Sequence, residues 1–434
     1  MYKYKLNPFV WEFEKNGICA LYNSLSLATV YIRKENYRDI MSFPPDSLIE
    51  KDFFVHVDFD SVQYFNKFAS HINNPCSIDI AYFLLTSECN YNCKYCFIES
   101  RFESSKKSYM SLETATKAIE MIRRNTEKIK IIFYGGEPLL NFKTIKYVVE
   151  TIKRSNIQSS FSIITNGSII NNEIITFLKD NNFNVSISLD GLEDTNNKTR
   201  IDLNGNGTFN RIVSTIEKLR NNNIKLGISC TINPFNLQKT KELLDVIKRY
   251  GINGLGYNFM TKNPNLSFTI EDESQSITSV LESEDYWLKN GIIEDKIIKR
   301  KLIPYVEGNI VKFRKDCAGY GNQVVITPDG NVGICHGLWP DMENNAQKSY
   351  YDFDVNYLGK IVQHNIWKEW NARTPFNMPQ CWNCVAIGAC GGGCAKNSLL
   401  ETGSIWNIDV NTCKITKKVI EWMVWKYYEM NINE

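Results

Sequence analysis

The chain has 434 residues, which is long enough for two or three domains, each with its own hydrophobic core. Its 50 Lys and Arg residues nearly balance its 48 Asp and Glu residues, and the formal net charge is +2 at pH 7. This balance lacks the basic excess of a dedicated nucleic-acid or membrane-surface binder. No signal-peptide pattern opens the sequence, and no apolar run approaches the roughly 20 residues that span a bilayer. We therefore expect a cytoplasmic protein with neither a nucleic-acid nor a membrane partner.

The first segment, residues 1–78, differs in pattern from the rest of the chain. Its predicted elements are a hairpin at 16–33, helices at 34–41 and 61–72, and an alternating strand at 53–59. This order is typical of a small winged-helix-like module. A polar breaker at 73–75 precedes the next strand, so we place a domain boundary there.

From residue 78 onward, the pattern alternates between strands and helices. The predicted elements are 78–85, 112–125, 129–134, 142–155, 161–165, 171–181, 184–189, 209–221, 225–232, 237–250 and 254–259. Repeated βα units imply a parallel sheet wrapped by helices, as a full or a partial barrel. Such folds place their chemistry at the carboxyl ends of the strands, where short polar turns occur in this sequence.

Three of the 13 cysteines form a C-x-x-x-C-x-x-C pattern directly after the apolar run 81–86, at Cys89, Cys93 and Cys96. Soft thiolate donors select an iron–sulfur cluster or zinc. Three protein ligands leave one metal position open, which is a feature of catalytic sites. A structural zinc knuckle is the alternative, but it needs a fourth Cys or His, and 97–120 contains neither.

This loop resembles the signature loop of the radical S-adenosylmethionine (SAM) superfamily, in which an aromatic residue, here Tyr95, precedes the last cysteine. The resemblance implies a [4Fe-4S] cluster whose unique iron chelates SAM. It also implies that the reduced cluster cleaves SAM to a 5′-deoxyadenosyl radical. Phe97 would help to hold the adenine, and a place in the core is its alternative role.

Further motifs of that superfamily follow in the expected order. Gly135-Gly136-Glu137-Pro138 comes after the strand at 129–134 and resembles the GGEP motif, whose backbone and glutamate meet the ammonium group of SAM. The glycines allow close backbone approach, and a carboxylate suits an ammonium. Taken alone, the same four residues would fit an ordinary turn.

The next two strands end in the turns TNG, at 165–167, and SLDG, at 188–191. By resemblance, the residues that contact the ribose hydroxyls and the carboxylate of SAM are Thr165, Asn166, Ser188, Asp190 and Arg200. The alternative is that each belongs to a simple strand-ending turn, because Asn-Gly and Asp-Gly are common turn dipeptides.

The stretch 317–336 has a Pro-Asp-Gly turn between two short apolar strands, which predicts a β-hairpin with Cys317 and Cys335 at its ends. With the later cysteines, it resembles the SPASM domain, a cysteine-rich extension of radical SAM enzymes that mature peptides and proteins. The resemblance implies two auxiliary [4Fe-4S] clusters, three in all. The distal one would be held by Cys381, Cys384, Cys390 and Cys413, and the nearer one by Cys317, Cys335 and Cys394. Two structural zinc sites are the alternative, since Cys-x-x-Cys suits both metals.

Seven cysteines for eight ligand positions leave one iron open, which we assign to the nearer cluster. Sulfatase-maturating members commonly have another cysteine early in the hairpin and an aspartate after the cysteine that closes it. This chain has no cysteine in 318–334 and has His336 at the second position. Both departures favour maturases that install thioether links. His336 is the candidate catalytic residue, with a ligand or a simple hydrogen-bonded neighbour as its alternative roles.

The sequence thus predicts an α/β protein with a partial (β/α)6 TIM-like barrel at 79–305. A winged-helix-like leader-peptide recognition module precedes it at 1–78, and a SPASM domain with a C-terminal helix follows at 306–434. By resemblance, the substrate is a ribosomal precursor peptide with a leader, and the reductant is a protein such as flavodoxin or ferredoxin. The expected product is an intrapeptide crosslink, with a thioether favoured and a carbon–carbon or ether bond possible. The alternatives are another SPASM reaction, such as formylglycine formation, and a noncatalytic zinc or iron–sulfur module.

Overall fold

A computed structural model describes residues 3–70, 72, 76–96, 98, 108–252, 254–260, 273–288, 315–341 and 349–432. The chain divides into two compact units. We name the first the terminal unit, which comprises 1–75, 296–317 and 373–434, and the second the sheet unit, which comprises 76–295 and 318–372. The domain boundaries that we placed after 78 and 305 stay predictions.

The β-strands are β1 (Tyr4–Leu6), β2 (Val10–Lys15), β3 (Ile18–Asn23), β4 (Thr29–Arg33), β5 (Phe54–His56), β6 (Ile80–Leu84), β7 (Lys128–Tyr134), β8 (Gln158–Thr165), β9 (Asn184–Ser188), β10 (Lys225–Ile232), β11 (Gly254–Phe259), β12 (Gln323–Ile326), β13 (Asn331–Gly333) and β14 (Phe353–Asp354). The α-helices are α1 (Lys34–Ser42), α2 (Asp46–Glu50), α3 (Ser61–Ser70), α4 (Leu112–Asn125), α5 (Phe142–Arg154), α6 (Asn172–Asp180), α7 (Glu193–Thr199), α8 (Phe209–Asn221), α9 (Glu242–Tyr250), α10 (Glu273–Leu288), α11 (Asn365–Ala372), α12 (Ala395–Thr402) and α13 (Val410–Ile432).

The terminal unit begins with a three-stranded antiparallel sheet in the order β2-β3-β4, and β1 pairs separately with β5. The β3–β4 pairing confirms the predicted hairpin at 16–33. Alternate residues of these strands, such as Val10, Leu21 and Ile32, point into one apolar cluster with Phe53 and Phe54. Helices α1 and α3 lie where the sequence predicts helices.

The terminal unit has a second apolar cluster, which joins its amino-terminal and carboxyl-terminal segments. Phe65 of α3 packs against Phe376 and Trp382, with ring centroids 5.4 and 5.5 Å apart, respectively. The amide N–H of Gly388 donates to the Ser24 carbonyl at 2.9 Å. The two ends of the chain therefore fold as one body in this unit.

The sheet unit is built on one nine-stranded sheet in the order β11-β10-β9-β8-β7-β6-β12-β13-β14. Strands β6 to β11 are all parallel and adjacent in chain order. This confirms the predicted α/β class and is consistent with a partial barrel. The hairpin β12–β13 confirms the strands predicted around the Pro-Asp-Gly turn, and β12 also pairs in parallel with β6.

Local sequence explains the helices that cover this sheet. Helix α4 begins where the Ser111 hydroxyl accepts the amide N–H of Thr114 at 3.0 Å. Its buried residues, including Ala115, Ile119 and Ile122, recur every three or four positions and face the sheet. Within the part of the chain that the structure describes, no helix combines the length and the apolar character of a membrane-spanning segment.

Candidate active site

The cysteine loop of 89–96 lies just beyond the carboxyl end of β6. The amide N–H of Cys96 donates to the carbonyl of Cys93 at 2.9 Å, which closes a turn between them. Tyr91, between Cys89 and Cys93, pairs with Asp202 in an isolated bridge. These contacts hold the loop at the edge where the neighbouring parallel strands also end. We call this edge the strand-end site.

Nitrogen donors face the sulfur atoms of this loop. The amide nitrogen of Tyr91 lies 3.4 Å from Cys89 Sγ, and Asn166 Nδ2 lies 3.6 Å from the same sulfur. Arg200 Nη1 lies 3.9 Å from Cys93 Sγ. N–H groups directed at sulfur stabilise thiolates that ligate iron and tune the reduction potential of the cluster. The donor set therefore fits a [4Fe-4S] cluster on this loop.

Burial changes the acidity of these thiols. It raises the pKa of the Cys93 thiol to about 12, while the positive charge of Arg200 acts in the opposite direction. Burial also raises the pKa of the Cys89 thiol. Such thiols ionise when a metal ion displaces their protons. The loop thus suits thiolates that are held on iron.

The GGEP turn is packed directly against the segment that leads into the cysteine loop. Gly135 has a φ of 138°, and a Cβ atom there would overlap the carbonyl oxygen of Thr86. A Cβ atom on Gly136 would overlap the carbonyl oxygen of Glu88. The amide N–H groups of Gly136 and Glu137 donate to those two carbonyls at 2.7 and 2.8 Å. Both glycines are therefore required by backbone contact, which fixes the position of Glu137.

The carboxylate of Glu137 is fully buried and accepts three hydrogen bonds. Its donors are the amide N–H of Leu139 at 3.1 Å, the Thr165 hydroxyl at 2.7 Å and the amide N–H of Asn166 at 2.8 Å. Burial outweighs these bonds and raises the pKa of Glu137 to about 7. A carboxyl group in this setting gains by meeting a cation, which suits the ammonium group of SAM.

Arg200 is a buried cation at the same edge. Its Nε lies 2.9 Å from Oδ2 of Asp190, whose side chain is fully buried. The Tyr95 hydroxyl donates to the same oxygen, and the guanidinium carbon lies 5.3 Å from the centroid of the Tyr95 ring. The amide N–H of Thr231 donates to Oδ1 of Asp190 at 2.9 Å. Three protein groups thus occupy the carboxylate of Asp190, which holds Arg200 beside Cys93.

The structure brings most of the predicted SAM residues to the strand-end site. Thr165 is the last residue of β8, Asn166 follows it, and Ser188 is the last residue of β9. Pro138 opens the short turn of Pro138–Asn141. Their direct contact with SAM stays a prediction. Phe97 lies outside the described residues.

His336 lies in the sheet unit against two aromatic side chains of the parallel strands. Its ring stacks on Tyr82 of β6 with centroids 4.7 Å apart, and it meets Tyr134 of β7 edge-on at 5.4 Å. Neither Tyr82 nor Tyr134 belongs to a motif predicted from the sequence. The signal was present, because each is a tyrosine within an apolar strand that ends near the cysteine loop. The catalytic role of His336 stays a prediction.

The cysteines predicted for the distal cluster line one cavity of the terminal unit. They are Cys381, Cys384, Cys390 and Cys413, and we call this cavity the distal cysteine site. Apolar side chains such as Met378 and Ile387 form much of its remaining wall. The amide nitrogen of Gly392 lies 3.4 Å from Cys390 Sγ. Four thiols that lie more than 280 positions along the chain from the first loop are thus gathered around a second space.

The nearer auxiliary set, Cys317, Cys335 and Cys394, stays a prediction from the sequence. Cys335 belongs to the sheet unit, whereas Cys317 and Cys394 belong to the terminal unit. Among the described residues, no three His, Cys, Asp or Glu side chains meet closely enough to hold one metal ion. A cubane cluster spaces its thiolates farther apart than a single ion does.

Comparison with known proteins agrees with the geometry of the strand-end site. Residues 83–247 match the profile of the radical SAM superfamily. The chain is 26% identical over 433 residues to the radical SAM cyclopropyl synthase TigE of Paramaledivibacter caminithermalis, a match that covers 93% of this chain and 85% of that protein. It is also 26% identical over 345 residues to a cysteine-type anaerobic sulfatase-maturating enzyme of Clostridium novyi, covering 72% of this chain and 86% of that enzyme.

A solved structure extends the similarity to the fold. Streptococcus suis SuiB bound to its precursor peptide SuiA superposes with a TM-score of 0.57 at 13% identity, covering 94% of this chain and 99% of SuiB. Members of the matched superfamily bind SAM and a [4Fe-4S] cluster, for which Cys89, Cys93 and Cys96 provide the predicted loop. Residues 83–247 therefore form a radical SAM domain, and the chain resembles the maturases of that superfamily that carry SPASM domains.

Proposed function

We propose that this enzyme matures a ribosomally made peptide by abstracting a hydrogen atom from it and closing a covalent bond within it. The observation that carries the proposal is the strand-end site, where the buried carboxylate of Glu137 and the buried guanidinium of Arg200 lie beside the cysteine loop. The similarity to a cyclopropyl synthase over most of the chain, and the fold shared with a maturase bound to a precursor peptide, support a peptide substrate.

In this proposal, the protein residues orient SAM for cleavage. When bound, the [4Fe-4S] cluster supplies the electron that cleaves SAM. The buried Glu137 carboxylate holds the ammonium group, and Arg200 pairs with the SAM carboxylate while Asp190 and Tyr95 keep its guanidinium in place.

Carbon–carbon closure is the bond type we place first, because the match to the cyclopropyl synthase covers 93% of the chain. A thioether is the second candidate, and seven cysteines for eight auxiliary ligand positions favour it. Either bond removes two hydrogens from the peptide. One leaves in 5′-deoxyadenosine, and the other leaves as a proton while its electron passes to an acceptor within the enzyme.

We propose that an auxiliary cluster accepts the electron that the peptide loses. The distal cysteine site supports one of them, because its four thiols share a cavity. The nearer cluster, on Cys317, Cys335 and Cys394 with one open iron, rests on the sequence alone. A reductant such as flavodoxin or ferredoxin would supply the first electron.

Residues 1–78 are proposed to bind the leader of the precursor. In the three-stranded sheet, β2 lies at an edge, and Glu12 and Glu14 on it are exposed. An extended peptide adds to such an edge by main-chain hydrogen bonds. This arrangement favours a leader that binds as a further strand next to β2.

Formylglycine formation is the competing function, because the chain is also similar to a sulfatase-maturating enzyme. At the position where those enzymes commonly have an aspartate, this chain has His336, which is engaged with Tyr82 and Tyr134. That difference argues against formylglycine formation.

The test is anaerobic reconstitution followed by incubation with SAM, a reductant and the peptide encoded by a short reading frame beside this gene. We expect iron for three clusters, 5′-deoxyadenosine and a peptide lighter by two hydrogens. Thiols that still react with iodoacetamide would indicate a carbon–carbon bond, and blocked thiols a thioether. Loss of a cysteine sulfur would indicate formylglycine, and absence of 5′-deoxyadenosine would refute the proposal.

A further inference from the structure

One side of the distal cysteine site reaches the surface of the terminal unit. All four of its cysteines are partly exposed. Trp382, which follows Cys381, is 48% exposed, and its indole N–H donates to the carbonyl of Phe376 at 2.8 Å. Its ring also packs against Phe65, with centroids 5.5 Å apart. A large aromatic side chain is therefore held at the surface, directly beside a predicted cluster ligand.

The first turns of helix α13 form the next part of this surface. Cys413 lines the cavity, and Lys417 lies four positions after it, so the two side chains are neighbours on the helix. Val410, Lys414 and Lys417 are exposed, and they recur at intervals of four and three positions. This spacing places them in one stripe along the outer face of the helix. An apolar side chain and two ammonium groups thus border the distal cysteine site.

The charge of this surface is positive. Of the charged side chains between 374 and 420, those that are exposed are Lys414, Lys417, Lys418 and Glu401. Lys418 pairs with Glu421 at 3.5 Å, whereas neither Lys414 nor Lys417 forms an ion pair with another described residue. Helix α3, which packs against Trp382, contributes no acidic residue. Two positive charges beside the distal cysteine site are therefore available to a partner.

An apolar centre with a cationic rim is the composition of a docking surface for an acidic protein. Aromatic side chains are enriched at protein interfaces, and charges at the rim speed the encounter with a partner of opposite charge. Proteins that exchange electrons form small and transient interfaces. The partly exposed thiols would place a cluster near the protein surface, where an electron can pass to a bound partner.

We propose that an acidic protein that carries one electron docks beside the distal cysteine site and accepts an electron there. Its docking surface, which we name the carrier surface, consists of Trp382, Val410, Lys414 and Lys417. The electron is the one that the peptide loses when its second hydrogen leaves as a proton. In a carrier such as oxidised flavodoxin, the flavin gains this electron and one proton from water. This inference rests on the proposed function and adds to it the route by which the electron leaves.

The test measures electron transfer from the enzyme to oxidised flavodoxin by stopped-flow absorbance. Cys93→Ala enzyme is reduced and then freed of reductant, so that only the auxiliary clusters donate electrons. Adding Lys414→Glu with Lys417→Glu should lower the second-order rate constant at least about tenfold at low salt. Adding Lys414→Arg with Lys417→Arg keeps both positive charges, so the rate constant should not change.

The control for net charge is Lys218→Glu with Lys225→Glu, which changes two exposed lysines of the sheet unit. This pair alters the charge by the same amount and should leave the rate constant unchanged. The difference between the two glutamate pairs should shrink as the salt concentration rises, because salt screens charges at a surface. Iron content and Tm are measured for every variant. If the first glutamate pair loses iron, Lys414→Gln with Lys417→Gln makes the same comparison.

The outcomes separate this inference from the proposed function. If both glutamate pairs give the same rate constant, the carrier surface is wrong and the proposed function stands. If Cys381→Ala reduces flavodoxin as fast as Cys93→Ala does, the electron leaves elsewhere, and the inference is again wrong. If the first glutamate pair weakens binding of the precursor peptide and not electron transfer, the surface holds the peptide, which also overturns the inference. If flavodoxin is reduced as expected but no peptide is modified, the proposed function fails while the carrier surface stands.

Discussion

The two cysteine sites of this chain have opposite surroundings. In the strand-end site, nitrogen atoms of Asn166 and Arg200 face the sulfur atoms, and the carboxylate of Glu137 is buried nearby. In the distal cysteine site, four thiols share a largely apolar cavity with groups such as Met378 and Ile387. Metal sites that keep an open position for a ligand are catalytic, whereas closed sites with a full protein ligand set are structural or carry electrons. In the proposed function, the two sets of cysteines therefore have different tasks.

The largest expected effect is the loss of SAM cleavage when a cysteine of the strand-end site is replaced. Replacing Cys93 with Ala removes one of the three proposed ligands beside the proposed open position, so the cluster would no longer hold SAM. We expect 5′-deoxyadenosine formation to fall to background, with or without peptide. Anaerobic turnover followed by chromatography measures it. Cys19→Ala, which changes a buried cysteine of β3 outside both sites, is the control and should retain activity.

The matching change in the distal cysteine site should leave SAM cleavage intact. Cys381→Ala removes one of the four ligands proposed for the distal cluster, so we expect iron to fall by about one cluster and peptide modification to be lost. Formation of 5′-deoxyadenosine without peptide should continue. Iron analysis and the same chromatographic assay measure both. If Cys381→Ala abolishes SAM cleavage as fully as Cys93→Ala does, the contrast between the sites is wrong.

Sequence predicted the parallel strands and the distal group of cysteines well, because both depend on spacing along the chain. The βα alternation predicts the six parallel strands, and Cys381, Cys384, Cys390 and Cys413 do line one cavity. The parallel pairing of β12 with β6 was not predictable, because it joins segments about 240 residues apart and no local pattern encodes it.

The roles of single side chains were harder to predict than their positions. The motif at 188–191 predicts that these residues lie at the end of a strand. It does not predict which groups form hydrogen bonds or ion pairs with each side chain. Asp190 has its carboxylate occupied by Arg200, Tyr95 and the Thr231 amide. A hydrogen-bond network among residues from four parts of the chain is a property of the folded state.

That network gives the next prediction for the strand-end site. Asp190→Asn leaves the Arg200 guanidinium as a buried cation without a counter-charge, which costs about 3–5 kcal/mol of unfolding free energy. We expect a clear decrease in Tm and weaker SAM binding. Thermal unfolding under anaerobic conditions and equilibrium dialysis measure the two effects.

The matched control is Asp194→Asn, which breaks the exposed Asp194–Lys239 pair at 2.6 Å. Water screens that pair, so we expect no measurable decrease in Tm. Equal decreases for the two variants would mean that Asp190 does not hold a buried cation, and the polar description of the strand-end site would need revision.

The smallest expected effect is a pH dependence that only the strand-end site should show. Burial raises the pKa of Glu137 to about 7, so the carboxyl is neutral below that pH and negatively charged above it. Because the ammonium of SAM requires the charged form, binding should weaken as pH falls through 7. We expect the Kd for SAM to rise by up to about tenfold per pH unit below 7.

Glu137→Gln carries no titrating group, so its Kd for SAM should be higher but independent of pH between 6 and 7.5. A flat profile for the unchanged enzyme would remove Glu137 as the ammonium partner, whereas a slope that persists in Glu137→Gln would assign the titration to another group. The proposal gives the distal cysteine site no part in SAM binding, so Cys381→Ala should keep the slope of the unchanged enzyme.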